Sequence, residues 1–263
     1  MSGKVDGDGD GTAPERIAFA GDWHANTAWA RSAIRYAADA GADIIVQLGD
    51  FGYDYPASYV EGVDTALREA DLQLWFVDGN HEAFPILLRY PVLEHGRRRL
   101  ADRIWHLPRG YRWSWAGVSF LALGGAHSVD RTWREPGTSW WREEALTEED
   151  ITAATAGGPA DVLVSHDCPA GVEIPGLDDT AHLWPPAELV AAADHRDRLR
   201  TVVDAVRPGQ IWHGHYHRRY DARADLGYGS VQVHGLHCDG WYLEENVVVV
   251  VPDELRSGAR GLD

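Results

Sequence analysis

Three short apolar runs in the first third of the chain each end in polar residues, and helical patterns separate them. The runs RIAFAGD, DIIVQLGD and LQLWFVDGN cover residues 16–22, 43–50 and 72–80. Asn26 can cap the first intervening helix, and Gly41 marks its end. Because buried strands that alternate with helices form parallel sheets, this part of the chain predicts an α/β fold.

The remainder of the chain adds further strands. An aromatic-rich stretch over residues 103–126 contains the turn WAG, which predicts a hairpin. Apolar runs at 160–167 and 209–216 predict two more buried strands with a helix between them, and residues 229–252 predict closing strands. No internal repeat and no linker interrupts this pattern, so we expect a single domain with two sheets over residues 15–263.

The charge of the chain limits the class of partner. The formal net charge of −17 comes from 41 acidic and 24 basic residues, which disfavours binding to long nucleic acid. Residues 1–14 predict a flexible, acidic tail, and no stretch reaches the roughly 18 apolar residues of a membrane span. Cys168 and Cys238 are too few for a disulfide framework. We therefore expect a cytoplasmic protein that makes no membrane contact.

The predicted strand ends carry side chains of the types that bind metal ions. These residues are Asp22, His24, Asp50, Asn80, His81, His166, His215 and His217. In α/β sheets the functional crevice forms at the carboxyl ends of the strands, so these side chains can converge there. Carboxylate, amide and imidazole donors without thiolates suit a pair of manganese, iron or zinc ions. Each short motif alone is more typical of a turn, a capping residue or a buried histidine.

The five motifs D-x-H, G-D, G-N-H-E, S-H and G-H-x-H follow one another between about residue 16 and about residue 250. With this order, and with each motif at a predicted strand end, the chain resembles the calcineurin-like metallophosphoesterase superfamily. The resemblance implies a four-layer α-β-β-α sandwich with two mixed sheets and an active site at the carboxyl ends of the core strands. It also implies two divalent or trivalent metal ions as cofactors, with manganese as first choice and iron or zinc as alternatives.

The resemblance also gives each motif residue a role. One metal ion is then held by Asp22, His24 and His217. The second is completed by Asn80, His166 and His215. Asp50 bridges the two ions, and His81 is the catalytic histidine. The implied reaction is an in-line attack on phosphorus by a hydroxide that bridges the metals, while protonated His81 orients the phosphate or protonates the leaving oxygen.

The segment after Asp50 bears on the substrate. Protein Ser/Thr phosphatases of this superfamily carry G-D-x-V-D-R-G there, whereas this chain reads GDFGYDYP, without arginine. We therefore expect a small phosphodiester or phosphomonoester, for which a nucleotide is one candidate. One alternative is a nuclease of the same superfamily, which the negative charge disfavours. The other is a catalytically weak scaffold or binding module, which the complete set of motif residues disfavours.

Three residues are candidate substrate contacts, namely Asn26, Arg131 and His237. Arg131 lies in the tryptophan-rich segment 127–144, where indole rings can stack on a base while an arginine binds phosphate. The alternative for this segment is aromatic packing between the sheets, with the arginines at the surface.

The stretch IWHGHYHRR places histidines at positions 213, 215 and 217. In one extended strand, alternate side chains share a face at a spacing of about 6.6 Å, so three would span about 13 Å. Two metal ions about 4 Å apart can be reached by two neighbouring histidines but not by all three. Spacing alone leaves the pairs His213/His215 and His215/His217 open, and the resemblance selects the second because Gly214 precedes His215. His213 is then expected beside a ligand that it orients, or packed within the fold.

Overall fold

Twelve strands lie in the part of the chain that the computed structural model describes, which is residues 13–256. The strands are β1 (Ile17–Ala20), β2 (Ile44–Gln47), β3 (Gln73–Phe76), β4 (Arg98–Arg99), β5 (Ile104–His106), β6 (Arg112–Trp115), β7 (Val118–Leu123), β8 (Val162–Ser165), β9 (Gln210–His213), β10 (Tyr220–Asp225), β11 (Ser230–Gly235) and β12 (Val247–Val250). Residues 1–12 of the expected tail lie outside the described residues.

Helices connect the strands and cover the sheets. They are α1 (Thr27–Asp39), α2 (Ala57–Ala70), α3 (Phe84–Leu87), α4 (Glu148–Ala156), α5 (Leu177–Ala181), α6 (Pro186–Val206), α7 (Leu243–Asn246) and α8 (Pro252–Leu255). Two 3-10 turns cover Arg131–Trp133 and Arg142–Glu144. Among these described helices, none combines the length and the apolar character that crossing a membrane requires.

The strands form two mixed sheets with the same plan. The first sheet has the order β12-β1-β2-β3-β5-β4 and the second has the order β10-β11-β9-β8-β7-β6. In the first sheet the four central strands are parallel, and the edge strands β12 and β4 are antiparallel to their neighbours. In the second sheet β11, β9, β8 and β7 are parallel, and β10 and β6 form the antiparallel edges. The predicted pair of mixed sheets is confirmed.

Three hydrophobic cores separate four layers. On β1, Ala18 and Ala20 face helices α1 and α2, while Ile17 and Phe19 face the second sheet. A third core lies between the second sheet and helices α4 and α6. Burial on both faces explains why the parallel strands are continuous apolar runs rather than alternating ones. The layer order is therefore α-β-β-α, as the resemblance implied.

Local sequence signals account for several element boundaries. The side chain of Asn26 accepts a hydrogen bond from the Trp29 N–H at 3.1 Å, which caps α1 as predicted. Ala116 and Gly117 both adopt left-handed backbone conformations, and they turn β6 back on β7 as the predicted hairpin. The predicted strand over 209–216 ends earlier, at His213, because the chain turns sharply after that residue.

Candidate metal centre

The predicted ligands lie at the carboxyl ends of parallel strands from both sheets. The loops after β1, β2 and β3 of the first sheet carry the D-x-H, G-D and G-N-H motifs. The loops after β8 and β9 of the second sheet carry the S-H and G-H-x-H motifs. The two sheets pack face to face, so all five loops meet at one edge of the sandwich.

Two groups of ligand atoms form within this edge. The ligand atoms of Asp22, His24 and His217 lie within 4.8 Å of one another, and so do those of Asp22, Asp50 and His166. The His217 Nε2 is 3.1 Å from the Asp22 Oδ2. One Asp50 oxygen lies 3.3 Å from the His24 Nε2, and the other lies 3.3 Å from the His166 Nε2. Asp50 therefore faces one histidine of each group, which is the arrangement that a bridging carboxylate requires.

Asn80 and His215 stand beside His166. The Asn80 Oδ1 is 3.0 Å from the His166 Nε2, and the Asn80 Nδ2 donates to the Ser128 Oγ at 2.9 Å. This second bond turns the amide oxygen toward the ligand group. The His215 ring packs edge-on against the His166 ring at 5.1 Å, and the His215 N–H donates to the Asp22 Oδ2 at 3.1 Å. The structure thus brings all seven predicted ligands together.

The His24 ring shows that the donor set fits a cation. Its Nδ1 lies 2.7 Å from the Asp239 Oδ1, whereas its Nε2 is buried with no hydrogen-bond partner. Burial opposes protonation, but the nearby carboxylates of Asp239 and Asp50 outweigh it and raise the pKa of His24 to about 12. In the same way Asp50 outweighs burial and raises the pKa of His166 to about 9. The carboxylates around His24 and His166 therefore stabilise positive charge beside these two rings, as they would stabilise a bound metal ion.

Unusual backbone conformations deliver several of these side chains. His24, Asp50, His215 and His217 have φ values of 47°, 54°, 68° and 52°. A left-handed conformation costs a residue other than glycine roughly 1–2 kcal/mol. After β9 ends at His213, the left-handed turns at His215 and His217 direct both rings to the site. The extended strand expected for residues 213–217 therefore ends at His213.

Two glycines of the motifs allow the close approach of the ligand carboxylates. A Cβ atom on Gly79 would overlap the Asp50 carboxylate, and one on Gly214 would overlap the Asp22 Oδ1. Glycine is thus required before Asn80 and before His215 for a steric reason.

His213 lies apart from the ligand side chains. Its Nδ1 donates to the Gly214 carbonyl at 2.9 Å, so its Nε2 accepts from the Tyr220 hydroxyl at 2.6 Å. Burial lowers the pKa of His213 to about 4, which agrees with the neutral ring that these two bonds require. Of the two roles expected for His213, the structure shows the packed one.

His81 projects into the cavity above the ligands. Its backbone N–H donates to the Asp50 Oδ1 at 2.7 Å, and its Nδ1 is buried without a hydrogen-bond partner. The Tyr53 ring packs edge-on against the His81 ring, with 4.7 Å between ring centroids. Burial lowers the pKa of His81, so the ring favours the neutral form until an anion lies beside it.

The three candidate substrate contacts do not line this cavity. Asn26 is occupied by the helix cap and by a 2.8 Å hydrogen bond from its Nδ2 to the Asp239 Oδ2. Arg131 forms a 3.1 Å ion pair with Glu188. His237 stacks on Trp241, with ring centroids 5.1 Å apart.

The tryptophan-rich segment does not pack between the sheets, because none of Trp133, Trp140 and Trp141 belongs to the core there. The Arg131 guanidinium lies 5.4 Å from the centroid of the Trp140 ring. Trp133 packs against Trp184 at 5.5 Å. From this segment only Val129 and Asp130 line the cavity.

Sequence reasoning missed two residues that support the site. The Asp239 carboxylate contacts the His24 Nδ1 and fixes this ring, and the stretch GLHCDGW that contains it follows a strand end, which offered the signal. Glu82, the last residue of G-N-H-E, accepts hydrogen bonds from the N–H groups of Phe51 at 2.7 Å and Gly79 at 3.2 Å. It also accepts from the Tyr55 hydroxyl. Glu82 thereby ties together the loops after β2 and β3.

Comparison with known proteins agrees with this geometry. The sequence model described as calcineurin-like phosphoesterase matches residues 15–219. The crystal structure of TT1561 of Thermus thermophilus is 15% identical, covers 90% of this chain and 99% of that chain, and gives a TM-score of 0.52. A dimetal phosphatase from Danio rerio is 14% identical, covers 90% of this chain and 93% of that chain, and gives a TM-score of 0.54.

At such low identities the structural likeness establishes the fold alone. A search of curated proteins found no match. The family model, in contrast, spans well over half of the chain and includes all five motifs. The protein therefore belongs to the calcineurin-like phosphoesterase family.

Proposed function

We propose that this protein is a metal-dependent hydrolase that cleaves small phosphate monoesters or diesters with two bound metal ions. The observation that carries the proposal is the placement of Asp50, whose two oxygens face His24 and His166 at 3.3 Å each. The Nε2 of His24 supports it, because this buried nitrogen has no hydrogen-bond partner among the described residues and lies beside the Asp50 carboxylate, where it can serve as a ligand atom.

The donor set consists of oxygen and nitrogen atoms only, which favours manganese, with iron or zinc as alternatives. When bound, the two ions supply positive charge for the phosphate oxygens and an activated water nucleophile. The free thiols of Cys168 and Cys238 support a reducing, cytoplasmic location within the same proposal.

The chain itself contributes positioning and a proton. Water attacks phosphorus in line with the leaving oxygen, the bond between phosphorus and that oxygen breaks, and the alcohol leaves with one proton. His81 supplies this proton or orients the phosphate, because its Nδ1 has no hydrogen-bond partner among residues 13–256 and its ring faces the cavity. The charge of the bound phosphate stabilises the imidazolium form that this role requires.

Metal-stripped protein reloaded with Mn²⁺ tests the proposal against a chromogenic phosphodiester and a chromogenic phosphomonoester. We expect hydrolysis of at least one of them and retention of two ions per chain. His81→Ala should lose turnover and keep its metal, whereas Asp50→Asn should lose both. His182→Ala, at an exposed position outside the cavity lining, is the control and should retain both.

The outcomes separate the alternatives. Failure of the loaded protein to cleave either ester would refute the enzyme proposal, and metal retention in that case would favour a binding module. Cleavage of single-stranded DNA in preference to the small esters would favour the nuclease. A panel of nucleotides, cyclic nucleotides and phospholipid head groups then narrows the substrate.

A further inference from the structure

The cavity above the ligands continues into a chamber that the metal chemistry does not need. The whole cavity, including the end above the ligands, has a volume of about 460 Å³, within the range of about 300–1,000 Å³ that is typical of small-molecule sites. One end is lined by Asp50, Asn80, His81, His215 and His217. The other end is formed by α5, the loop before it and the first turns of α6. We call this second end the side chamber.

The walls of the side chamber are largely apolar. They are formed by Ile174, Leu177, Ala181, Trp184, Leu189 and Ala192. From this composition and its position next to the ligands, we infer that the substrate is a phosphate ester whose organic group is an apolar alkyl or aryl chain, received by the side chamber. The inference rests on the proposed function and narrows its substrate class.

Three polar side chains of the side chamber already form hydrogen bonds within the protein. The Tyr216 hydroxyl donates to the Asp167 Oδ1 at 2.6 Å, and the Thr180 hydroxyl donates to the Leu177 carbonyl at 3.2 Å. Arg196 donates to backbone carbonyls through its Nε at 3.0 Å and through its Nη2 at 2.7 Å. A base or sugar placed against these three side chains and the apolar walls would lose hydrogen bonds to water that they do not replace, whereas an apolar chain loses none.

Charges near the chamber also disfavour a second phosphate. The charged residues of the lining beyond the ligand end are Asp130, Asp178, Arg196 and Arg218, and together they carry no net formal charge. A nucleoside diphosphate or triphosphate would therefore find no net positive charge beyond the metal ions, whereas a single phosphate with an uncharged chain meets no such penalty.

A series of primary alkyl phosphates, from ethyl through butyl and hexyl to octyl, tests the inference. The series is prepared both as monoesters and as methyl diesters, and within each set the leaving-group chemistry is constant. For chains that fit the side chamber, kcat/KM should rise by up to about fourfold per methylene group, as expected for transfer from water to an apolar site. Glycerol phosphate and a nucleoside monophosphate should fall below hexyl phosphate.

Two variants on α6 locate the effect. Leu189→Asn places an amide in the chamber wall and should lower the hexyl-to-ethyl ratio of kcat/KM by at least about tenfold. Val190→Asn makes a similar change at the next position, which is 62% exposed and does not line the chamber, and should keep the parental ratio. Alkyl phosphonates, which are not hydrolysed, provide calorimetric dissociation constants that should follow the same chain-length trend.

The results distinguish the two proposals. Absence of cleavage of both alkyl ester sets and of both chromogenic esters would refute the proposed function, and phosphonate binding would then still test the side chamber. A hexyl-to-ethyl ratio of kcat/KM near one in the parent would overturn the inference that the substrate carries an apolar group. Equal ratios in Leu189→Asn and Val190→Asn would also overturn it.

Discussion

Asp239→Asn isolates the contribution of the residue that holds the His24 ring. In the parent, the Asp239 carboxylate lies 2.7 Å from the His24 Nδ1 and accepts from Asn26 at 2.8 Å. The amide keeps the size of the side chain but removes its charge. Hydrogen bonds to charged groups contribute about 1.5–3 kcal/mol, against about 0.5–1.5 kcal/mol for neutral ones. The loss of about 1–2 kcal/mol corresponds to roughly 5- to 30-fold weaker metal binding.

Competition with a chromogenic chelator measures the two metal dissociation constants of each variant. We expect one site to weaken in Asp239→Asn and the other to stay near its parental value. Asp221→Asn is the matched control, because Asp221 contacts the His234 Nδ1 at 2.6 Å outside the metal centre. Equal metal affinities in Asp239→Asn and Asp221→Asn would refute the reasoning, since the His24 ring would then be fixed by other contacts.

Three further predictions concern the backbone, the pH dependence and the thiols. Gly214→Ala drives a methyl group into the Asp22 carboxylate, and an overpacking cost of roughly 1–3 kcal/mol should appear as weaker metal binding in a titration. His213 has a pKa of about 4 in the fold, below its unfolded value of about 6.5, so neutral His213 stabilises the fold above pH 6.5. This stability, up to about 3 kcal/mol, is lost as the pH falls through 4. The free energy of unfolding of His213→Gln, measured in urea, should therefore decrease less with falling pH than that of the parent. Burial raises the pKa of the Cys168 thiol to about 12, so a thiol reagent should label only Cys238 until the protein is unfolded.

Local patterns predicted the elements whose signals lie within a few residues. The cap at Asn26 and the turn at Ala116 and Gly117 appear where the sequence placed them. The order of the strand-end motifs also predicted which side chains would converge, because the carboxyl ends of parallel strands share an edge.

Pairings that join distant parts of the chain could not be predicted in this way. His24 contacts Asp239 across 215 residues, and no periodicity links the two positions. Arg131 carries a cation that suits a phosphate, but Glu188 on α6 neutralises it, and the apolar spacing that predicts this helix covers only its last turns. The side chamber combines residues 174–196 with Tyr216 and Arg218 after β9, so its shape depends on packing between distant parts of the chain.

The left-handed residues of the metal centre have a consequence for evolution and for engineering. His24, Asp50, His215 and His217 hold conformations that glycine or asparagine adopts at lower cost. Replacement of His217 by asparagine would relieve this backbone cost, but it would also remove a ligand and leave the buried Asp22 carboxylate without its 3.1 Å partner, so the metal-free protein should lose stability. The strained backbone and the paired side chains therefore make opposing contributions to stability at the same residues, and selection for thermostability alone has no simple route that discards the ligands.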